Sequence, residues 1–223
     1  LAACAALRAE HAALLSLAVV LAALGLFFAQ YEQRAPRLRD IMPTVVLAAC
    51  AAAGRVLFGP IPDFKPVSAI AIIAGAVFGR RSGFMTGALA ALASNFFLGQ
   101  GPWTPWQMYA WGLVGYLGGV LAQVGAFRGA ERCAGLGGAY ADTVPARQPE
   151  RGLRWWRGLA RRVLLALPLY LYGFLSGPLY GLILNTWSIV GFYHPQTAAQ
   201  LAAVYAAALP FDFAHGAATV LFL

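Results

Sequence analysis

The chain has 223 residues, of which 61% are hydrophobic and only 11% are charged. Soluble domains usually carry about 25% charged side chains, so this composition argues against an ordinary soluble domain and predicts an integral membrane protein. The formal net charge is +8. Because the basic residues lie mostly between apolar runs, they indicate orientation in a membrane and not nucleic-acid binding.

Seven apolar runs predict an all-α, polytopic membrane helix bundle. A full span needs about 20 residues, so the third run is too short to cross a bilayer without its flanking residues. The runs cover 12–30, 41–58, 67–79, 84–98, 107–125, 162–184 and 198–222. We divide the chain accordingly into 1–40, 41–125, 126–161 and 162–223.

The first run, 12–30, has two interpretations. A signal peptide would have an apolar stretch of about 7–15 residues followed by a small-x-small cleavage site, and this run is longer and lacks such a site. An additional membrane helix with its N-terminus outside fits better, because three arginines follow the run and only Arg8 precedes it.

The basic residues predict which ends of the helices face the cytoplasm. Three alternate connections hold nearly all of them, whereas the opposite connections hold only Arg55 and Lys65. The positive-inside rule therefore predicts a multi-pass membrane protein with a cytoplasmic C-terminus. Arginine outnumbers lysine by 15 to 1, which indicates a GC-rich bacterial genome and hence a bacterial plasma membrane. The arginines on the cytoplasmic side are Arg34, Arg37, Arg39, Arg80, Arg81, Arg128, Arg132, Arg147, Arg151, Arg154, Arg157, Arg161 and Arg162.

The connection 126–161 is the only long one. Its middle is rich in Gly, Ala, Arg and Pro, a composition that predicts no fixed structure. Its end, "RGLRWWRGLARR", repeats Arg every three to four residues beside two tryptophans. This pattern predicts an amphipathic helical turn in the lipid headgroup region, or a docking surface for a cytoplasmic partner.

The three connections on the other side are stiff, aromatic and almost uncharged. They are "RVLFGPIPDFKP", "LGQGPWTPW" and "NTWSIVGFYHPQT". Prolines fix the backbone and aromatic faces offer contact area at little entropic cost, which favours capture of a bulky solute. The alternative is an interfacial aromatic belt. The candidate solute-binding residues are Phe64, Asn95, Gln100, Trp103, Trp106, Gln107, Trp111, Asn185, Trp187, Tyr193 and His194.

Ionisable groups deep in the apolar runs are few. Asp212 and His215 are three residues apart, so they can share a helix face and pair. No further carboxylate or histidine joins them, and Cys4, Cys50 and Cys133 lack metal-ligand spacing, which argues against a metal site. With eight scattered acidic residues, the chain is not expected to be a membrane transferase or protease. A secondary carrier that uses the Asp212–His215 pair as a proton site is the other alternative.

Three segments resemble the S component, the substrate-binding membrane subunit, of energy-coupling factor (ECF) transporters. They are "GRVLFGPIPDFKPVSAIAIIAG", "GFMTGALAALASNFFLGQGPWTPWQMYAWGLVGYLGG" and "LPFDFAHGAATVLFL". The resemblance covers roughly 41–125 and 162–223 and implies a six-helix core, to which 12–30 adds one helix. The "GPWTPWQM" stretch is most similar to the subgroup that carries cobalamin or a similarly large vitamin, so cobalamin is the favoured solute; queuosine-type and other vitamin precursors stay open.

The resemblance also implies a mechanism. The S component binds its vitamin at the outer face under closing loops, docks on a transmembrane coupling protein, topples in the lipid bilayer and releases the vitamin inside. Two cytoplasmic ATPases drive this ABC-type import. No permanent cofactor is implied, and ATP is used only by the partner subunits, since no GxxxxGK[ST] loop is present. Small residues on the first core helix are typical of the docking face, which assigns it to Ala48, Ala49, Ala52 and Ala53.

Overall fold

In the computed structural model, which describes residues 9–32, 38–133 and 153–223, every regular element is a helix. The all-α prediction is therefore confirmed for these residues. The grouping into a six-helix core and one additional helix stays a prediction. The elements are α1 Ala9–Glu32, α2 Leu38–Leu57, α3 Val67–Phe78, α4 Arg80–Leu98, α5 Thr104–Gln123, α6 Arg128–Cys133, α7 Leu153–Ser188, a π-helix Ile189–Tyr193 and α8 Ala198–Phe222.

The basic segment before the sixth run belongs to a much longer helix than predicted. Helix α7 has 36 residues and begins at Leu153, so the predicted separate turn is continuous with the apolar run. The predicted flexible middle of the connection lies in 134–152, outside the described residues. The beginning of that connection is helical, because α6 forms there and packs against α7.

The third predicted connection is mostly helix, which corrects the sequence interpretation. Helix α7 and the π-helix continue through "NTWSIVGFY" to Tyr193. Nothing in this apolar stretch stops a helix until His194, which takes a left-handed conformation (φ 42°) directly before Pro195. A residue before proline is disfavoured in the α conformation, so the true connection is only 194–197.

Helices α3 and α4 are joined by Gly79 alone. Its φ of 93° is open to glycine and strained for other residues. The two arginines predicted in this connection instead form the first turn of α4. Helix α3 has 12 residues, so it spans about 18 Å, less than the bilayer core of about 30 Å, as its short run predicted.

Glycines let the central helices approach closely. A methyl group on Gly115 of α5 would collide with the backbone of Gly83 in α4, and one on Gly75 of α3 would collide with Gly115. Helices α7 and α8 approach in the same way, because Gly177 faces the backbone of Gly216. Contacts between small residues are typical of helix packing in membranes, where close backbone approach supplies the van der Waals attraction.

Within the described ranges, two segments are long and apolar enough to cross a membrane, Val163–Tyr193 and Ala198–Phe222. Only 22% and 17% of the residues in their most apolar windows are buried, whereas the core helix of a soluble protein is mostly buried. Large exposed side chains such as Leu164, Leu182 and Phe211 account for this. The long helices therefore present apolar surface outward, which suits a lipid environment.

Candidate solute site

A buried arginine lies where α2, α4 and α5 meet. Arg55, in the last turn of α2, is only 7% exposed. Its Nη1 donates to Oγ of Ser94 at 2.6 Å and to Oδ1 of Asn95 at 2.5 Å. Its Nη2 donates to Oε1 of Gln107 at 3.3 Å. All three acceptors are uncharged, so the hydrogen bonds solvate the guanidinium without neutralising it.

The acceptors are held in place by one another. Asn95 lies in the last turn of α4 and Thr104 and Gln107 in the first turn of α5. The Asn95 Nδ2 donates to Oγ1 of Thr104 at 2.9 Å and to Oε1 of Gln107 at 2.8 Å. The Thr104 hydroxyl donates to Oε1 of Gln100 at 3.0 Å. We call Arg55, Ser94, Asn95, Gln100, Thr104 and Gln107 the Arg55 network.

Stacked aromatic rings continue from the guanidinium across the bundle. The Arg55 Cζ lies 4.7 Å from the ring centre of Trp111, a cation–π distance. Trp111 stacks on Tyr180 at 4.6 Å, and Tyr180 stacks on His215 at 4.8 Å. His215 Nε2 lies 2.7 Å from Oγ of Ser68. This aromatic column, Trp111, Tyr180 and His215, joins α5, α7 and α8, and through Ser68 it reaches α3.

Two charged residues of the connection after α2 lie near this site. Burial raises the pKa of Asp63, and the nearby Lys65 opposes the rise. Burial also lowers the pKa of Lys65; Asp63 opposes that change and Arg55 adds to it. Lys65 is thus within electrostatic range of Arg55. Asp63 has a φ of 53°, a left-handed conformation that aspartate tolerates in turns.

The structure brings together four of the predicted solute-binding residues. Asn95, Gln107 and Gln100 belong to the Arg55 network, and Trp111 lies under the guanidinium. Their polar groups bond mainly to one another and to Arg55, which is the helix-to-helix bonding that membrane helices commonly use. A solute therefore has to compete with, or add to, an existing set of hydrogen bonds.

The other predicted residues lie in separate places. Trp106 is buried against Val20 and Leu24 of α1, with Trp187 at 6.2 Å. Phe64 packs edge-on against Phe58 at 5.5 Å and against Phe222, near the end of α8, at 5.0 Å. The exposed side chains, which the structure does not bring to the Arg55 network, are Trp103, Tyr193 and His194.

Asp212 and His215 do not form the predicted pair. Asp212 accepts a hydrogen bond from Asn185 at 3.4 Å, while His215 bonds with Ser68 and stacks on Tyr180. The two side chains point to different neighbours because α8 packs against both α3 and α7. Among the described residues, no group of three or more His, Cys, Asp or Glu side chains is placed to hold a metal ion.

The predicted docking residues fall on two faces of α2. Ala48 and Ala52 are 5% and 7% exposed, so they lie inside the bundle and cannot offer a surface to a partner. This corrects the assignment of these two residues. Ala49 and Ala53 are exposed. The division follows from helix geometry, since residues one apart lie about 100° apart around the axis.

Sequence reasoning missed the residue at the centre of the site. Arg55 was counted only as one of two basic residues on its side of the membrane. A signal was available, because an arginine within an apolar run is costly in lipid and usually faces the bundle interior. Ser94, Thr104 and Tyr180 carried no such signal, since single hydroxyl groups are common in membrane helices.

A second arginine-lined space lies at the other end of α4. A cavity of about 240 Å³ is bounded by α1, α4 and α5. Phe27 of α1 stacks on Phe84 at its wall, with ring centres 3.7 Å apart. We call it the Arg81 cavity, and its lining residues are Phe27, Arg80, Arg81, Phe84, Tyr109, Leu113 and Tyr116.

Comparison with known proteins gives one similarity. Residues 35–142 match a family of unknown function, DUF6580. This stretch is slightly less than half of the chain; it includes the whole Arg55 network but neither α7 nor α8. No curated protein and no solved structure matches the chain.

Proposed function

We propose that this chain is a membrane-embedded solute-binding subunit of the S-component type, which captures a vitamin and passes it to an ECF transporter module. The observation that carries the proposal is the Arg55 network with its aromatic column. A guanidinium buried among neutral amides is expensive in an apolar bundle, and polar groups at such depth usually serve binding or transport. The apolar outward surfaces of α7 and α8 support the membrane setting.

The proposed entry side is the end of the bundle that carries the connections 58–66 and 99–103. Both connections flank the Arg55 network, because α2 ends just after Arg55 and α5 begins at Thr104. In the proposed orientation this end faces outward and the arginine-rich end of α4 faces the cytoplasm. A large vitamin of the cobalamin type is the first solute to test, on the basis of the "GPWTPWQM" resemblance.

The proposed docking face for the coupling protein is the exposed side of α2. Ala49 and Ala53 lie there beside Val45 and Val46, so a partner helix can approach closely at the two alanines. Two cytoplasmic ATPases would supply ATP hydrolysis in the partner module. A stand-alone carrier is less well supported, because Asp212 and His215 have different partners and do not form a joint proton site.

The test is solute binding to the purified protein in detergent, without any ATPase. We expect isothermal titration calorimetry with a vitamin panel to show one tight ligand. Gln107→Leu removes an acceptor of the Arg55 network, so it should weaken that ligand at least about tenfold, which corresponds to about 1.4 kcal/mol. Gln123→Leu, at the opposite end of the same helix, is the matched control and should leave affinity unchanged.

Two outcomes contradict the proposed function. One is the absence of binding by every panel member at micromolar concentrations. The other is an equal loss of affinity in the Gln107 and Gln123 variants, which would place the solute away from the Arg55 network.

A further inference from the structure

The short hydrogen bonds of the Arg55 guanidinium all come from one of its nitrogens. Both strong hydrogen bonds, to Ser94 and Asn95, come from Nη1. On the other side, Nη2 makes only the longer contact of 3.3 Å to Gln107. The Nε is buried and has no hydrogen-bond partner among the described residues. The edge formed by Nε and Nη2 is therefore the unsatisfied edge of a side chain that is 7% exposed.

Two unpaired buried groups lie at this site, and both are donors. Arg55 Nε and Trp111 Nε1 have no hydrogen-bond partner within the described part of the chain. Each carries an N–H group that only donates. Trp111 lies directly beneath the guanidinium. The site is thus short of acceptors, and a ligand that completes it must bring oxygen acceptors.

The charge around Arg55 points the same way. Its acceptors are two amides and a hydroxyl, and its stacking partner is an indole. Hydrogen bonds to neutral acceptors solvate the guanidinium but do not neutralise its positive charge. The C-terminal end of α2 contributes a partial negative charge, equivalent to roughly half an elementary charge. Among the described residues no carboxylate bonds to the guanidinium, and the nearby Asp63 interacts electrostatically with Lys65.

We propose that the Nε–Nη2 edge of Arg55 is the anchor for an acidic group, a carboxylate or phosphate, on the captured solute. Two parallel hydrogen bonds from this edge match the two oxygens of such a group, which is the geometry in which arginine binds anions most strongly. The Nη1 bonds to Ser94 and Asn95 hold the guanidinium in position for this contact. The inference rests on the proposed function and narrows its substrate class to acidic solutes.

In the present conformation a solute cannot reach the Nε–Nη2 edge of Arg55, since Nε is buried. The solute reaches it when Gln107 rotates away, because Gln107 is half-buried and makes the longest of the hydrogen bonds to Arg55. Asn95 is released from Gln107 in this rearrangement and keeps its bonds to Arg55 and Thr104. A solute oxygen then replaces Oε1 of Gln107 on Nη2 and supplies the missing acceptor for Nε. The rotated Gln107 donates from its Nε2 to the same acidic group, so loss of this amide weakens binding of the solute.

The experiment compares solutes with and without an acidic group. Wild-type protein in detergent is titrated with nicotinate against nicotinamide and with pantothenate against panthenol, two pairs that differ only in that group. A third pair is cobalamin against cobinamide, which lacks the phosphodiester together with the ribose and the base attached to it. For the pair that binds, we expect the acidic member to bind at least about tenfold more tightly than the neutral one, as charge-assisted hydrogen bonds predict.

Variants then assign the preference to Arg55. Arg55→Gln should abolish the preference for the acidic member, and Arg55→Lys should keep only part of it, because lysine retains the charge without the paired donors. Asn95→Asp, which keeps the side-chain shape, gives Arg55 an internal counter-charge and should also reduce the preference. Arg81→Gln, at the other end of α4, is the matched control and should keep the full preference.

The outcomes separate the two proposals. If a solute binds and its neutral analogue binds equally well, the anchor is wrong and the proposed capture stands. If Arg55→Gln still binds the acidic member more tightly than the neutral one, another cation such as Lys65 binds the acidic group. The proposed Arg55 anchor is then wrong. If a vitamin of the panel binds but none of these acidic solutes does, the anchor is wrong and the proposed capture stands; if nothing in the panel binds, both fail. Should Arg55→Gln not fold, the Arg55→Lys and Asn95→Asp comparisons decide.

Discussion

Arginines lie near both ends of α4, and their surroundings differ sharply. Near the end of α4, Arg55 of α2 is almost fully buried and bonded to neutral side chains of α4 and α5. At its beginning, Arg80 is exposed and lies over Tyr116 at 5.6 Å, and Arg81 is half-buried beside an open cavity. The exposed arginines can keep their heads in water or among lipid headgroups, whereas Arg55 depends on protein groups for its solvation.

Exposed and buried arginines in this chain therefore have different consequences for stability. Exposed arginines at a helix start add little to stability, since surface charges contribute little to the free energy of unfolding. A buried arginine is costly unless other residues solvate it. Substitutions at the two ends of α4 are therefore expected to have very different effects on folding, and this expectation can be tested directly.

The largest effect is expected for Asn95→Ala. Asn95 is 1% exposed and bonds to Arg55, Thr104 and Gln107. Its loss leaves Arg55 Nη1 with Ser94 alone, so we expect the free energy of unfolding in detergent to fall by about 3 kcal/mol. Denaturant titration followed by circular dichroism measures this change.

The control for Asn95→Ala is Asn185→Ala, in which the deleted amide makes one long bond of 3.4 Å to Asp212. Its free energy of unfolding should change by less than about 1 kcal/mol. Equal losses in the two variants would show that the Arg55 network has no special weight in folding.

An intermediate effect is expected for Gly119→Ala in α5, which lies against the start of α4. A methyl group at this position would collide with the backbone of Arg80, so α4 and α5 would have to separate. We expect a loss of about 1–3 kcal/mol in the free energy of unfolding. Gly25→Ala in α1 meets no atom within 4 Å and should be neutral or stabilising by up to about 1 kcal/mol. Unchanged stability of Gly119→Ala would mean that the helices are not in close contact there.

The smallest effect is expected for Arg80→Gln. The exposed side chain gives up one cation–π contact with Tyr116, worth about 0.5 kcal/mol at such a site. Thermal unfolding in detergent should therefore detect almost no shift. A fall in the free energy of unfolding as large as that expected for Asn95→Ala would show that arginines at the two ends of α4 contribute equally to folding.

Much of the helix pattern was predictable because hydropathy acts locally. The runs 41–58 and 198–222 match α2 and α8 within a few residues at each end. The wrong predictions of connections arose where residues typical of turns lie inside a stretch that continues as a helix. Aromatic and polar residues around Trp187 indicated a connection, but only Pro195 stops the helix, so the π-helix was missed.

The candidate site was predictable in its composition but not in its arrangement. Asn95, Gln107 and Trp111 are among the predicted solute-binding residues, and they do meet at Arg55. Arg55 was passed over, and Trp103 and His194 were included although they remain exposed. Sequence spacing shows which residues share a helix, while contact between helices depends on how their faces turn toward one another.

The helical, strongly apolar character of this protein and the uneven placement of its basic residues are predictable from the sequence, because helix propensity, hydropathy and charge are properties of local stretches. Helix packing is what covers Ala48 and leaves Ala49 exposed, and it brings a guanidinium on α2 to amides from α4 and α5. These features follow from close packing at glycines, which fixes the rotation and depth of each helix against its neighbours. A single charge inside that packing has to be solvated by residues far away in the chain.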